Sequence, residues 1–173
     1  MPRHRGTAAT RCGRGFSLIE LMVTVAVLAV GLALAAPTLS TQIANYRLRS
    51  AAEGVLNGLN FARAEAVRRN SNVSFTLATG GAGWTVAQVS PATTLQTRAN
   101  GESPGVTAAS TTTSLTVTFT PTGLVDTSGV RLSQIDLSTS VSGAETRRID
   151  IFGGGLIRVC SPSVTEVGDP RRC

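Results

Sequence analysis

The feature that most constrains this chain is an apolar run of 24 residues, from Phe16 to Leu39, which contains one charged residue, Glu20. As an α-helix the run extends about 36 Å, which is enough to cross a bilayer core of about 30 Å. A carboxylate in such a run is costly, because hydrocarbon does not solvate charge. The protein must therefore have a means of accommodating Glu20.

Charge is distributed unevenly around the apolar run. Four of the sixteen basic residues, and no acidic residue, precede it. This bias keeps the N-terminus cytoplasmic and sends the rest of the chain across the membrane. Without the first fifteen residues, twelve arginines face ten acidic residues, so the net charge falls from +6 to +2. The whole-molecule field is then too weak to gather nucleic acid, and any basic function requires a local cluster.

Two ordinary interpretations of the run leave Glu20 without a role. A cleaved secretory signal would end at a small-residue site, and Ala33–Pro37 (ALAAP) could supply one. A plain membrane anchor is the second interpretation. Neither needs a carboxylate in the apolar region, and neither needs Gly15 directly before it.

The stretch Gly15-Phe16-Ser17-Leu18-Ile19-Glu20 resembles the type IV prepilin cleavage and methylation motif. The resemblance implies that residues 1–15 are a leader, that a prepilin peptidase cuts after Gly15, and that the new N-terminus of Phe16 is methylated. It also implies that Glu20 pairs with the α-amino group of Phe16 in a neighbouring subunit. Pro37 becomes the twenty-second mature residue, where pilin helices commonly carry a proline. The alternative for Glu20 is a carboxylate that is protonated or extends to the membrane interface.

A second, one-sided helical segment follows at residues 40–70. Its apolar residues recur at steps of three and four and form one stripe, which predicts ordinary core packing. They are Leu48, Ala52, Val55, Leu59, Ala62 and Ala66. Glu65 precedes Arg68 and Arg69 by three and four residues, which predicts ion pairs on the helix surface.

Residues 71–173 have the two-residue periodicity of β-strands and are predicted to form a periplasmic head. Strands are predicted at 73–77 and around Trp84, which form a hairpin, and at 115–119. A further strand is predicted over Val130–Leu137, with a bulge where the alternation shifts, and a last hairpin is predicted at 147–151 and 156–160. Residues 90–113 are predicted to form a long surface loop or an irregular edge. The predicted fold class is α+β, with a long N-terminal helix, transmembrane in its first half (16–39), packed on an antiparallel sheet.

This order resembles the GspH/FimT family of minor pilins and pseudopilins. The resemblance rests on the N-terminal motif, on Phe119–Gly123 (FTPTG), and on the C-terminal stretches GGLIRVC and DPRRC. It implies a non-enzymatic subunit, without cofactor, of a type IV pilus or of a type II secretion pseudopilus that acts in protein export. The implied partners are the prepilin peptidase, other pilin-type subunits and the inner membrane, in which the chain is a single-pass protein before it enters a filament.

The head contains two cysteines, Cys160 and Cys173, which can pair in an oxidising compartment. The bridge would close a ring worth about 3 kcal/mol in the chain-entropy model. Two free thiols are the alternative. Two cysteines without an adjacent histidine cannot form a zinc site. The only histidine, His4, lies in the leader, which excludes histidine-dependent hydrolase chemistry from the mature chain.

The remaining candidate site is a group of arginines near the C-terminus. The last hairpin and the tail bring together Arg147, Arg148, Arg158, Arg171 and Arg172. FimT-like proteins bind DNA through a Gly-Arg-x-Arg motif, and the matching stretch here is Gly155-Leu156-Ile157-Arg158, so only Arg158 carries over. The group is predicted to contact the phosphates of double-stranded DNA. The alternative is solvated strand-edge charge that pairs with nearby acidic residues.

Overall fold

The computed structural model describes residues 15–173, apart from the side chain of Pro37. Residues 1–14 of the predicted leader lie outside this range. The described chain begins with one helix, α1 (Leu18–Arg69), and divides into two compact units at Pro37 and Thr38. Each unit is described by itself below.

In the unit before Thr38, α1 is apolar on every side and exposed on every side. Leu21 and Leu28 expose 60% and 66% of their surface, and Leu34 exposes 74%. This part of α1 contains an 18-residue window of mean hydropathy 2.5, none of it buried, which is long and apolar enough to cross a membrane. The predicted apolar helix is therefore confirmed, and none of the residues that the structure describes covers it.

In the unit from Thr38 to Cys173, α1 buries one side. All six residues of the predicted stripe are buried, which confirms the one-sided helix. Two glycines on this part of α1 allow the head to approach closely. The Trp84 ring lies over Gly58, where an added Cβ would come within 2.7 Å of the ring, and the Arg98 guanidinium lies directly against Gly54.

Eight strands follow the helix and form two antiparallel sheets. The strands are β1 (Val73–Leu77), β2 (Trp84–Gln88), β3 (Thr93–Arg98), β4 (Val106–Ser110), β5 (Thr116–Phe119), β6 (Gln134–Thr139), β7 (Arg147–Ile151) and β8 (Ile157–Cys160). The first sheet has the order β3-β2-β1-β5 and the second has the order β4-β6-β7-β8. The predicted β1–β2 and β7–β8 hairpins are confirmed, as is β5.

Residues 90–113 do not form the predicted loop, but the alternative of an irregular edge is confirmed. This segment contains β3, a short 3₁₀ turn (Asn100–Glu102) and β4. Both strands lie at sheet edges, and β3 pairs along β2 with a register shift after Val86, while β4 pairs along β6. β3 has no buried residue and depends on backbone pairing, whereas β4 buries Val106 and Ala108 in alternation.

The strand predicted at Val130–Leu137 is also displaced. The observed β6 begins four residues later, at Gln134. Before it, the buried Leu132 donates its backbone N–H to Thr116 of the first sheet over 2.8 Å. Residues 130–133 therefore cross from one sheet to the other, which accounts for the shifted alternation in the sequence.

One hydrophobic core joins the helix to both sheets. Its largest fully buried side chains are Phe75, Phe119, Leu48, Leu59, Leu77, Leu132, Ile135, Leu137 and Ile149. The first buried residue of this core is Ala44, and the disulfide also lies beyond Thr38. The unit Thr38–Cys173, called the head below, therefore contains its whole core and can fold without the apolar half of α1.

Candidate functional site

The N-terminal motif lies at the start of α1, and Ser17 of the motif caps this end of the helix. The Ser17 hydroxyl accepts a hydrogen bond from the Glu20 backbone N–H over 3.3 Å, and the Ser17 carbonyl accepts one from Leu21 over 3.1 Å. This is N-capping, and it leaves the Gly15–Phe16 peptide bond outside the helix. Phe16 is 81% exposed. The sequence signal for this cap is a serine followed three residues later by a glutamate.

Glu20 lies in the first turn of α1, where an acidic side chain faces the positive end of the helix dipole. Within the described part of the chain, its carboxylate makes no ion pair. Pro37, the other predicted assembly residue, also belongs to α1, but its side chain lies outside the described residues.

In contrast, Glu65 is held by its own chain. It is buried, and its carboxylate accepts hydrogen bonds from Arg68 Nε and Nη2 and from Arg69 Nε over 2.6–2.8 Å. These bonds lower its pKa from 4.5 to about 2. Arg69 also donates to Gln88 Oε1 over 3.2 Å, which joins the end of α1 to β2. The predicted pairs with Arg68 and Arg69 are therefore confirmed, whereas their placement on the surface is corrected for Glu65, because its carboxylate is buried at the end of the core.

Two of the five candidate arginines, Arg148 and Arg158, share the outer face of the second sheet. Arg148 makes a two-pronged pair with Asp136 on β6, with distances of 2.7 and 3.0 Å, and Asp136 raises the pKa of Arg148. Arg158 pairs with Asp150 on β7 over 3.2 Å, and its guanidinium carbon lies 5.9 Å from the Phe152 ring centroid. The face therefore alternates positive and negative charges.

Arg147 lies elsewhere. It alternates with Arg148 along β7, so the two side chains leave opposite faces of the strand. Arg147 pairs with Glu145 over 2.7 Å in a polar groove that α1 lines through Asn45, Tyr46 and Arg49. The predicted convergence of five arginines on one side is therefore wrong, because strand alternation separates two consecutive residues.

The last two candidates lie in a tail that a disulfide closes. Cys160 and Cys173 are bonded, with Cα atoms 5.0 Å apart, as predicted. The Ser161 N–H donates to the Arg171 carbonyl over 2.7 Å, so the tail returns along the end of β8. Arg171 pairs with Asp169 over 2.7 Å and lowers the pKa of that carboxyl to about 2. Arg172 is exposed and makes no ion pair with a described residue.

Four of the five candidate arginines therefore pair with carboxylates of their own head. Such pairing with nearby acidic residues is what the alternative to DNA binding predicts. Arg147 and Arg171 pair with carboxylates two residues away, whereas the partner of Arg148 is twelve residues away and is set by strand register. Within residues 15–173, no group of three His, Cys, Asp or Glu side chains is placed to bind a metal ion.

The stretches FTPTG and GGLIRVC meet at one side chain of α1. Arg63 Nε donates to the Gly123 carbonyl over 3.0 Å, and Gly155 lies against the same two groups. A side chain at Gly155 would collide with the Gly123 carbonyl, and its φ of +78° also favours glycine. Leu156, which stands where a Gly-Arg-x-Arg motif has its first arginine, is 62% exposed.

Comparison with known families matches this architecture. The family model "Type II transport protein GspH" matches residues 51–155, which is more than half of the chain. The chain belongs to the GspH family. A second model, the prokaryotic N-terminal methylation motif, matches residues 10–36 and thus includes Gly15, Phe16 and Glu20. No curated protein matches the chain.

Solved structures of two proteins share the fold of this GspH-family chain. The type IV minor pilin FimU of Pseudomonas aeruginosa has 21% identity and a TM-score of 0.54, and the match covers 69% of this chain and 95% of FimU. The minor pseudopilin EpsH of the Vibrio cholerae type 2 secretion system has 11% identity and a TM-score of 0.53, with coverage of 68% and 99%. The predicted pilin-like α+β fold is confirmed.

Proposed function

We propose that this protein is a minor pilin or pseudopilin, a structural subunit and not an enzyme. A prepilin peptidase cuts it after Gly15 and methylates Phe16. The apolar half of α1 then holds the subunit in the inner membrane, with the head in the periplasm, until assembly draws it into a filament. The observation that carries this proposal is a fully exposed apolar helix with one carboxylate, Glu20, that no described residue neutralises.

Glu20 supplies the assembly step. An unpaired carboxylate at membrane depth is expensive, whereas one that faces a cationic N-terminus is compensated. Methylation keeps the Phe16 amine cationic and reduces its polar surface. Each subunit in the bilayer has an unpaired charge that raises its free energy. When a neighbouring subunit places its Phe16 amine beside Glu20, the two charges compensate each other, and assembly is favoured.

The decisive experiment is mass spectrometry of protein purified from its native membrane. We expect a mature chain that begins with N-methylated Phe16, and a chain that retains residues 1–15 would refute the proposal. A Glu20→Gln variant should be cleaved but should fail to enter filaments. Its matched control is Glu53→Gln, which removes an exposed carboxylate from the head half of α1 and should assemble normally.

The subunit could belong to a type IV pilus or to a type II secretion system. We favour the type IV pilus, because the C-terminal tail is closed by a disulfide and carries arginines. The alternative is a type II secretion pseudopilin that acts in protein export and binds no DNA. Deletion of the gene for this protein distinguishes the two systems. Loss of pili with normal protein export supports the pilus, and loss of protein export with normal pili supports the pseudopilus.

DNA binding by the head stays a prediction. Arg172 has no acidic partner among the described residues, and Arg158 and Arg171 are exposed enough to exchange their carboxylates for phosphates. The test is a gel shift of duplex DNA by the head at low salt. A variant with alanine at Arg158, Arg171 and Arg172, and with Arg147 and Arg148 unchanged, should no longer retard the DNA. If the wild-type head does not retard DNA, this function is eliminated.

A further inference from the structure

The first turns of the head carry an exposed group of side chains that fits a lipid surface. The group consists of Ile43, Tyr46, Arg47 and Arg49, and is called the juxtamembrane surface below. Ile43 and Tyr46 are 45% and 69% exposed, and both arginines are exposed. Tyr46 is the only tyrosine in the chain.

Neither arginine is neutralised by the head. Arg47 and Arg49 make no ion pair with a described residue, although most arginines of the head do so. They leave opposite sides of α1, because Leu48 between them is buried. Each lines a groove, of about 200 Å³ for Arg49 and about 340 Å³ for Arg47. Each groove therefore offers an uncompensated guanidinium to an anion.

The position of these residues indicates which anion they meet. They follow Leu39, the last residue of the apolar run, by four to ten residues, which is about 6 to 15 Å of helix. Helical side chains lean toward the helix N-terminus, so Tyr46, Arg47 and Arg49 extend back toward Leu39. Tyrosine is enriched at the headgroup level of membranes, and arginine there meets lipid phosphate.

We propose that the juxtamembrane surface binds anionic phospholipid headgroups of the periplasmic leaflet and so holds the head on the membrane before assembly. The inference rests on the proposed membrane anchoring of the apolar half of α1. It adds a contact that must be released when the subunit leaves the bilayer.

The test uses the head, residues 38–173, with sedimented vesicles of phosphatidylcholine alone or of phosphatidylcholine and phosphatidylglycerol in equal parts. We expect stronger partition onto the anionic vesicles. Arg47→Ala or Arg49→Ala should each weaken it about fivefold, and the double variant about 25-fold. Unchanged Trp84 emission confirms that the variants are folded.

Arg131→Ala is the matched control, because Arg131 also makes no ion pair with a described residue but lies where the chain crosses between the two sheets, outside the juxtamembrane surface. It should change partition less than twofold. Equal partition onto both vesicle types, or an equal loss in Arg131→Ala, would overturn the proposal. Displacement by inorganic phosphate beyond that by chloride at the same ionic strength would assign the grooves to free phosphate instead, which also overturns it.

Further measurements distinguish a failure of the lipid contact from a failure of the proposed membrane anchoring. If the full chain is extracted from membranes by alkaline carbonate, the anchoring itself fails. If the full chain stays in the membrane but the head ignores anionic vesicles, only the lipid contact fails. A double variant that binds vesicles normally but does not assemble would show that the two arginines meet a neighbouring subunit, and the lipid assignment would be wrong.

Discussion

The two halves of α1 belong to one helix but differ in what covers their side chains. After Thr38, the head covers one side of the helix and buries Leu48, Val55 and Leu59. Before Thr38, no described residue covers any side of the helix, and Leu28 is exposed to the same degree as its neighbours. The first half therefore requires a surrounding that residues 15–173 do not supply, whereas one side of the second half is covered by the head. Equivalent substitutions in the two halves should have unequal effects.

The largest difference is expected for leucine. Leu59→Ala removes a fully buried side chain and should lower the free energy of unfolding of the head by about 3 kcal/mol, from lost burial and the cavity left behind. Leu28→Ala should change it by less than about 0.5 kcal/mol. The measurement is denaturant unfolding of the full chain in detergent, followed by the emission of Trp84. Similar losses in both variants would mean that the head also packs the first half.

A smaller difference is expected for glycine. In Gly58→Ala, the new methyl group meets the rigid, buried Trp84 ring, so we expect a loss of about 1–2 kcal/mol even after the gain in helix propensity. In Gly31→Ala, nothing lies within 4 Å of the new atom, and the head should keep its stability. The same unfolding experiment decides, and a neutral Gly58→Ala variant would contradict the close helix–sheet contact.

The smallest difference is expected for glutamate and depends on pH. The pKa of Glu65 is lowered to about 2 in the folded head, so its stabilising contribution is complete above its ordinary pKa of 4.5 and disappears as the pH falls toward 2. We expect the head to lose about 1 kcal/mol between pH 5 and pH 2 through this group, and Glu65→Gln to abolish that part of the slope. Glu20→Gln should leave the slope unchanged. A Glu65→Gln profile that matches the wild type would refute the buried pair.

The predictable parts of the fold are those that short-range periodicity specifies. The stripe from Leu48 to Ala66 repeats with the helical period, and Gly80 and Gly155 mark turns with positive φ between regular strands. β3 was missed because it buries no residue and becomes a strand through pairing with β2. β4 was missed because its two buried residues, Val106 and Ala108, give only a short apolar alternation among threonine, serine and alanine.

The candidate site divides in the same way. The cysteine pair could be predicted because the chain after Phe16 contains only Cys160 and Cys173. The neutralisation of the arginines could be predicted only in part. Glu145 and Asp169 lie two residues from Arg147 and Arg171, whereas Asp136 and Asp150 reach Arg148 and Arg158 through strand register. The Ser17 cap could also have been predicted, since Ser17 precedes Glu20 by three residues, which is the spacing of a capping serine.

The contacts at the Arg69 end of α1 have a mechanical consequence. Arg63 holds Gly123, beside the turn at Gly155 that joins two strands of the second sheet, while Arg69 reaches Gln88 of the first. A pull along the helix axis is thus transmitted to both sheets at the same time.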